Sequence, residues 1–150
     1  MNYYVFTPRD QLKTAEMLDI IETVLTECFE NSSSRINIPK SHYILILYEG
    51  DYITSENINA ILSFKIIPSE NSVKVYNVCV TKNNRGKRLS YLLFDIMENY
   101  IMGLEYNIRK YLLGVSAASP YYDITYRTYT NIGYQFHYQE YPLIHMIKNV

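Results

Sequence analysis

Apolar residues recur along this chain in two rhythms. Met17, Ile20, Ile21, Val24, Leu25, Cys28 and Phe29 fall three or four positions apart and so share one side of a predicted helix. Glu16, Asp19, Glu22, Thr23, Thr26, Glu27 and Glu30 lie mostly elsewhere, which makes that helix amphipathic with an acidic wet side. Thr7 and Pro8 predict its start, because a threonine side chain accepts from the free N–H groups of a first turn and proline suits the first helical position. The helical rhythm returns at Leu89, Leu92, Leu93, Ile96, Met97, Tyr100 and Ile101, the clearest helix in the chain. A third helix is predicted between Ser119-Pro120 and a stop at Gly133.

The second rhythm is that of strands. Residues 3–7, Tyr43–Tyr48, Ile58–Ile67, 73–80, 111–116, 135–138 and 142–147 are short, rich in β-branched and aromatic residues, and bounded by polar turns. Turns at Glu49-Gly50-Asp51 and at 68–71 join three of these strands as successive hairpins, so the sheet is antiparallel there. Residues 31–34 read as a loop, and 35–42 as either a short helix or an irregular segment. The fold class is therefore mixed α+β: a mostly antiparallel sheet of six to seven strands flanked by helices.

Composition narrows the partners. The 150 residues suffice for one domain with its own core, so 1–150 reads as a single domain. Fourteen Lys and Arg against 15 Asp and Glu leave a net charge of −1, without the basic surface that nucleic acid requires. Cys28 and Cys79 form no CxxC and no His/Cys set at metal spacing, so they read as two buried thiols in a reducing compartment. The N-terminal sequence lacks a basic start followed by an apolar run, and no apolar stretch approaches the ~20 residues that span a bilayer. A cytoplasmic protein with no membrane attachment is expected. The 17 tyrosines mean that a tyrosine at any one position says little by itself.

Candidate chemistry enters where the strand 73–80 gives way to the helix from Leu89. The turn between them, Thr81-Lys82-Asn83-Asn84-Arg85-Gly86-Lys87-Arg88, is polar, basic and contains one glycine. A helix start offers unpaired N–H donors and roughly half a positive charge, so this turn suits a phosphate or diphosphate. The spacing is neither that of a Walker A loop nor that of a dinucleotide fingerprint.

This turn, within the order strand, helix, three antiparallel strands, helix, strand, helix, two strands, resembles the GNAT acyltransferases over nearly the whole chain. The family's Arg/Gln-x-x-Gly-x-Gly/Ala motif reads here Arg85-Gly86-Lys87-Arg88-Leu89-Ser90, with Arg88 at a usual glycine and Ser90 at the final small residue. A second signature, Tyr-x-x-x-Gly-Phe, reads Tyr129-Thr130-Asn131-Ile132-Gly133-Tyr134. The resemblance implies an acetyl-CoA-dependent N-acetyltransferase with a primary amine as acceptor, small molecule or protein, and direct attack on the thioester. It implies that Val78, Cys79 and Val80 pair through their backbone with the pantetheine arm, and that a backbone N–H there faces the thioester oxygen. It implies that residues 85–90 hold the diphosphate, and that the Tyr129 hydroxyl protonates the leaving thiolate. Tyr122 and Thr125 stand where relatives often have Asn and Ala, so the segment Tyr121-Tyr122 is expected to pack on the cofactor instead.

The general base is open. The strand 73–80 contains no carboxylate, with Lys74 near the position that many relatives give to glutamate. Glu22, Glu49, Asp51, Tyr76, His42, His137 and His145 are the candidates. Two other functions also stay open: a non-catalytic acyl-CoA-binding module, and a protein-interaction domain that keeps only the fold. The acceptor's identity, the acyl length and the oligomeric state, a homodimer included, are not read from these residues.

Overall fold

The computed structural model describes residues 1–29 and 34–150. The predicted loop at 31–34 therefore lies outside the described residues except for Ser34. Seven strands form one sheet in the order β1-β2-β3-β4-β5-β7-β6. They are β1 (Asn2–Phe6), β2 (Tyr43–Tyr48), β3 (Ile58–Ile67), β4 (Ser72–Val80), β5 (Lys110–Ser116), β6 (Gln135–Glu140) and β7 (Leu143–Asn149). The helices are α1 (Ala15–Cys28), α2 (Leu89–Met102) and α3 (Tyr122–Ile132). β1 with β2, β2 with β3, β5 with β7 and β6 with β7 pair antiparallel, and β4 with β5 pairs parallel.

The chain forms two compact units. The first comprises Met1–Phe64 with Asn77–Leu93. Its core sets Ile21, Val24 and Leu25 of α1 against Phe6, Ile44, Ile46, Ile58 and Ile61 of the strands. Burial of such side chains is worth about 1.5–3 kcal/mol each. The helix does not begin at Thr7-Pro8. The Asp10 carboxylate accepts from Tyr4 Oη at 2.6 Å and from the Leu12 N–H at 2.8 Å, which holds that stretch in turns. Thr14 caps α1 instead, its hydroxyl accepting from the Met17 N–H at 3.1 Å.

Two further expectations change in this unit. Glu22 is not on the wet side of α1 but buried. Its carboxylate accepts from the Ile38 N–H at 2.5 Å and from the Arg35 guanidinium at 3.3 Å. It thereby pins the irregular segment 35–39 to the helix. Glu22→Ala leaves a buried N–H without an acceptor and is expected to cost about 1–3 kcal/mol in denaturant unfolding. Glu22→Gln retains a carbonyl acceptor and should cost less. The second change concerns Cys28 and Cys79, which are not thiols but a disulfide tying the last residue of α1 to β4.

The second unit comprises Lys65–Tyr76 with Phe94–Val150. Along β5, Tyr111, Leu113 and Val115 are buried while Lys110, Leu112 and Gly114 point the other way. Ile144 and Met146 of β7 are buried likewise. Phe94 and Met97 of α2 and Tyr129 and Tyr134 join them in the core. The parallel pairing of β4 with β5 runs only over Ser72–Lys110, Val73–Tyr111 and Lys74–Leu112, although both strands continue.

Candidate active site

The turn between β4 and α2 is built from the backbone upward. Lys82–Asn84 make a single 3-10 turn, closed by the Asn84 N–H donating to the Thr81 carbonyl at 2.9 Å. Gly86 then takes φ +82°, a conformation that an L side chain resists, and a Cβ placed there would meet nothing within 4 Å. The space beside Gly86 is thus open, and glycine is required by conformation rather than by crowding. Arg88 also has a positive φ, +59°. In the motif that the sequence resembles this position is a glycine, and the backbone here has the left-handed bend although the side chain is large. The guanidinium turns aside and lies over the Tyr91 ring at 4.4 Å. The Arg88 carbonyl then accepts from the Leu92 N–H at 3.4 Å as α2 begins, and Leu89 anchors that helix in the core.

A left-handed non-glycine residue costs about 1–2 kcal/mol. Arg88→Gly is therefore expected to be more stable than Arg88→Ala by about 1 kcal/mol. Both variants lose the guanidinium, so the difference in their unfolding midpoints isolates the backbone term.

Arg85 folds back onto β4. Its Nε donates to the Val80 carbonyl at 3.1 Å, and its Nη2 lies 4.0 Å from Cys28 Sγ. Lys87 Nζ donates to Asn84 Oδ1 at 3.3 Å. Val78 and Val80 are half-buried, whereas Cys79 is buried and turned into the core by its disulfide. Ser90 is half-buried in the first turn of α2. Arg85, Gly86, Lys87, Arg88, Leu89 and Ser90 thus form one continuous turn and helix start beside the end of β4.

Tyr129 lies on α3, in the second unit. Its ring is edge-on to Phe94 at 5.5 Å and tilted to Tyr134 at 6.3 Å. Burial pushes its phenol well above the ordinary value near 10, so the group keeps its proton throughout the neutral range. The helix stops four residues later because Gly133, at φ +119°, turns its N–H onto the Tyr129 and Thr130 carbonyls. The Lys148 side chain approaches within 3.1 Å of where a Cβ on Gly133 would stand, and its Nζ pairs with Glu98 at 3.0 Å. Tyr122 opens α3, its ring 5.7 Å from that of Tyr126, beside a groove of about 390 Å³ that also touches Arg127 and Thr130.

The architecture matches solved acetyltransferases end to end. With the PaiA N-acetyltransferase of Thermoplasma acidophilum, in complex with coenzyme A, the TM-score is 0.70 at 12% identity over 100% of both chains. With Tetrahymena GCN5 it is 0.69 at 10% identity, over 100% of this chain and 96% of that one. The chain has the GNAT fold. Arabidopsis thaliana NAA60, in complex with a bisubstrate analogue, agrees at 0.69 and 12% identity over 99% of each chain. No family model matches the sequence, and no curated sequence matches it significantly. Among the described residues, no helix is long and apolar enough to cross a membrane.

Within the GNAT fold, the two motifs read from the sequence occupy the start of α2 and the end of α3. Two features had no sequence signal. One is the short β4–β5 pairing, which leaves backbone groups beyond Lys74 and Leu112 without a registered partner in that ladder. The other is a cavity in the second unit lined by Lys74, Lys110, His137, Tyr138 and His145.

Proposed function

We propose that residues 1–150 act together as one acetyl-CoA-dependent N-acetyltransferase that acylates a primary amine by direct attack on the thioester. The observation that carries this reading is the pair of left-handed residues, Gly86 and Arg88, immediately ahead of α2. Such residues turn successive backbone N–H groups into an anion-binding concavity, and the helix start adds its own donors and partial charge. Arg85, Lys87 and Arg88 surround the same turn with full positive charge.

In this reading residues 85–90 hold the diphosphate of CoA, and the backbone of Val78, Cys79 and Val80 receives the pantetheine arm as a further strand would be received. Tyr122, beside the groove on α3, packs on the same arm. Bound acetyl-CoA supplies an activated acyl group. As nitrogen bonds to the acyl carbon and the C–S bond breaks, Tyr129 Oη, whose proton is retained by burial, donates that proton to the leaving sulfur, and the proton lost by nitrogen on becoming an amide restores the phenol. An amine that arrives neutral needs no carboxylate on β4, which has Lys74 and Tyr76 on its exposed side. The proposed setting is the cytoplasm.

The test is thiol release from acetyl-CoA across a panel of primary amines, together with a CoA titration of thermal stability. CoA at 100 times its Kd should add about 2.7 kcal/mol of stability. Stabilisation without turnover on any amine would indicate a binding module. Neither stabilisation nor turnover would remove CoA from the account.

A further inference from the structure

We infer that a cavity on the second unit's sheet recognises an acid group, so that the acceptor is a small anionic amine, amino-acid-like, rather than a polyamine. The word acceptor rests on the acetyltransferase reading; the acid site does not.

The cavity holds about 190 Å³ and is lined by Lys74, Lys110, Leu112, His137, Tyr138 and His145. Lys110, Leu112 and His145 alternate with buried Tyr111 and Ile144 along their strands, so they project from the opposite side of the sheet, and Leu113 and Met146 also border the cavity. Tyr138 and His145 are cross-strand partners, their rings stacked 4.2 Å apart at 14°. Lys74 is in register with Leu112, and Lys110 begins the same strand.

The polar character of this cavity is one-sided. None of the residues lining it is acidic. Among the described residues neither lysine has an ion-pair partner, and Lys74 Nζ instead sits 5.1 Å from the centre of the Tyr76 ring. His145 Nε2 is buried without a hydrogen-bond partner. Glu140 Oε2 stands 3.9 Å from it, beyond hydrogen-bond reach, on a side chain that is 78% exposed. A buried polar atom without a partner is uncommon in a folded protein. A carboxylate or phosphate in the cavity would offset the two unpaired ammonium charges. A polyamine would instead bring positive charge to positive charge.

Size and place agree with a small molecule. The volume equals roughly six waters at ~30 Å³ each, enough for the acid end of an amino acid. Lys74 and Leu112 are also the last registered pair before β4 and β5 stop pairing. An acid group bound here leaves its amine beside the unpaired backbone of those strands.

The deciding experiment compares acid and amide on the native protein. N-acetyl-β-alanine and its carboxamide are titrated while the His137 and His145 ring signals are followed by NMR. Turnover of β-alanine, β-alaninamide, O-phosphoethanolamine and spermidine is measured in parallel. The acid is expected to bind at least tenfold more tightly than the amide and to shift the His145 signals. The double variant Lys74→Gln/Lys110→Gln should abolish that preference without changing KM for acetyl-CoA. A larger effect of O-phosphoethanolamine than of β-alanine supports the site and assigns it to phosphate. Equal binding of acid and amide, a preference for spermidine, or a preference that survives in the double variant would overturn the proposal. Acid-selective binding with no turnover of any amine supports the cavity and counts against the transferase reading alone.

Discussion

Replacing Tyr129 by phenylalanine is expected to lower kcat about 10²–10⁴-fold, the usual range for losing a general acid, with little change in KM for acetyl-CoA. The substitution removes one oxygen and keeps the ring. The edge-on contact with Phe94 and the tilted one with Tyr134 survive, so the unfolding midpoint should barely move. That separates a chemical role from a packing role, because a residue needed only for packing would leave kcat intact in the phenylalanine variant. Direction of titration adds a second check. Burial raises the Tyr129 phenol, so the wild-type acid stays protonated on moving from neutral to mildly alkaline solution. Any alkaline fall in wild-type rate must then come from another group. Full activity of Tyr129→Phe at every pH would end its assignment as the acid.

Removal of the Cys28–Cys79 bond is expected to produce a large loss of stability. The two cysteines are 51 positions apart, and closing a loop of that length restricts the unfolded chain by about 4 kcal/mol in the chain-entropy model. The variant Cys28→Ser/Cys79→Ala, or the wild type under strong reductant, should therefore show a lower urea midpoint, with a steeper urea dependence as the freed unfolded chain exposes more surface. A difference below about 1 kcal/mol would mean that the bond contributes little beyond the packing of Cys79 in the core. The same pair bears on location. Disulfides persist in oxidising compartments and are rare in the cytosol, where thiols are kept reduced. Counting alkylated thiols in protein trapped directly from cells tests the cytoplasmic proposal: two free thiols favour it, and none count against it.

The turn at 85–88 shows how far a motif reaches. Its residue types, a glycine among cations ahead of an apolar periodic run, were legible because phosphate chemistry demands them. What Arg88 does at a glycine position was not legible. Side-chain identity alone leaves open whether the backbone abandons the left-handed bend or the side chain moves away. The structure keeps the bend and lays the guanidinium on Tyr91. Glu22 teaches the converse. On a helical wheel it belongs with the acidic residues, but Ile38 and Arg35 arrive from outside the helix to receive it.

By itself the sequence determined the elements: hydrophobic period separates strand from helix locally, so β2, β3 and the extent of α2 followed from residues a few positions apart. Gly133 set the end of α3 for the same reason, since a left-handed helix stop is a local demand on one residue. The tertiary structure alone decided the Cys28–Cys79 bond, the burial of Glu22, the early end of β4–β5 pairing and the gathering of Lys74, Lys110 and His145 around one cavity. Each of these joins residues far apart in the chain, and their approach depends on how strands are ordered in the sheet, which no local pattern of apolar and polar positions encodes.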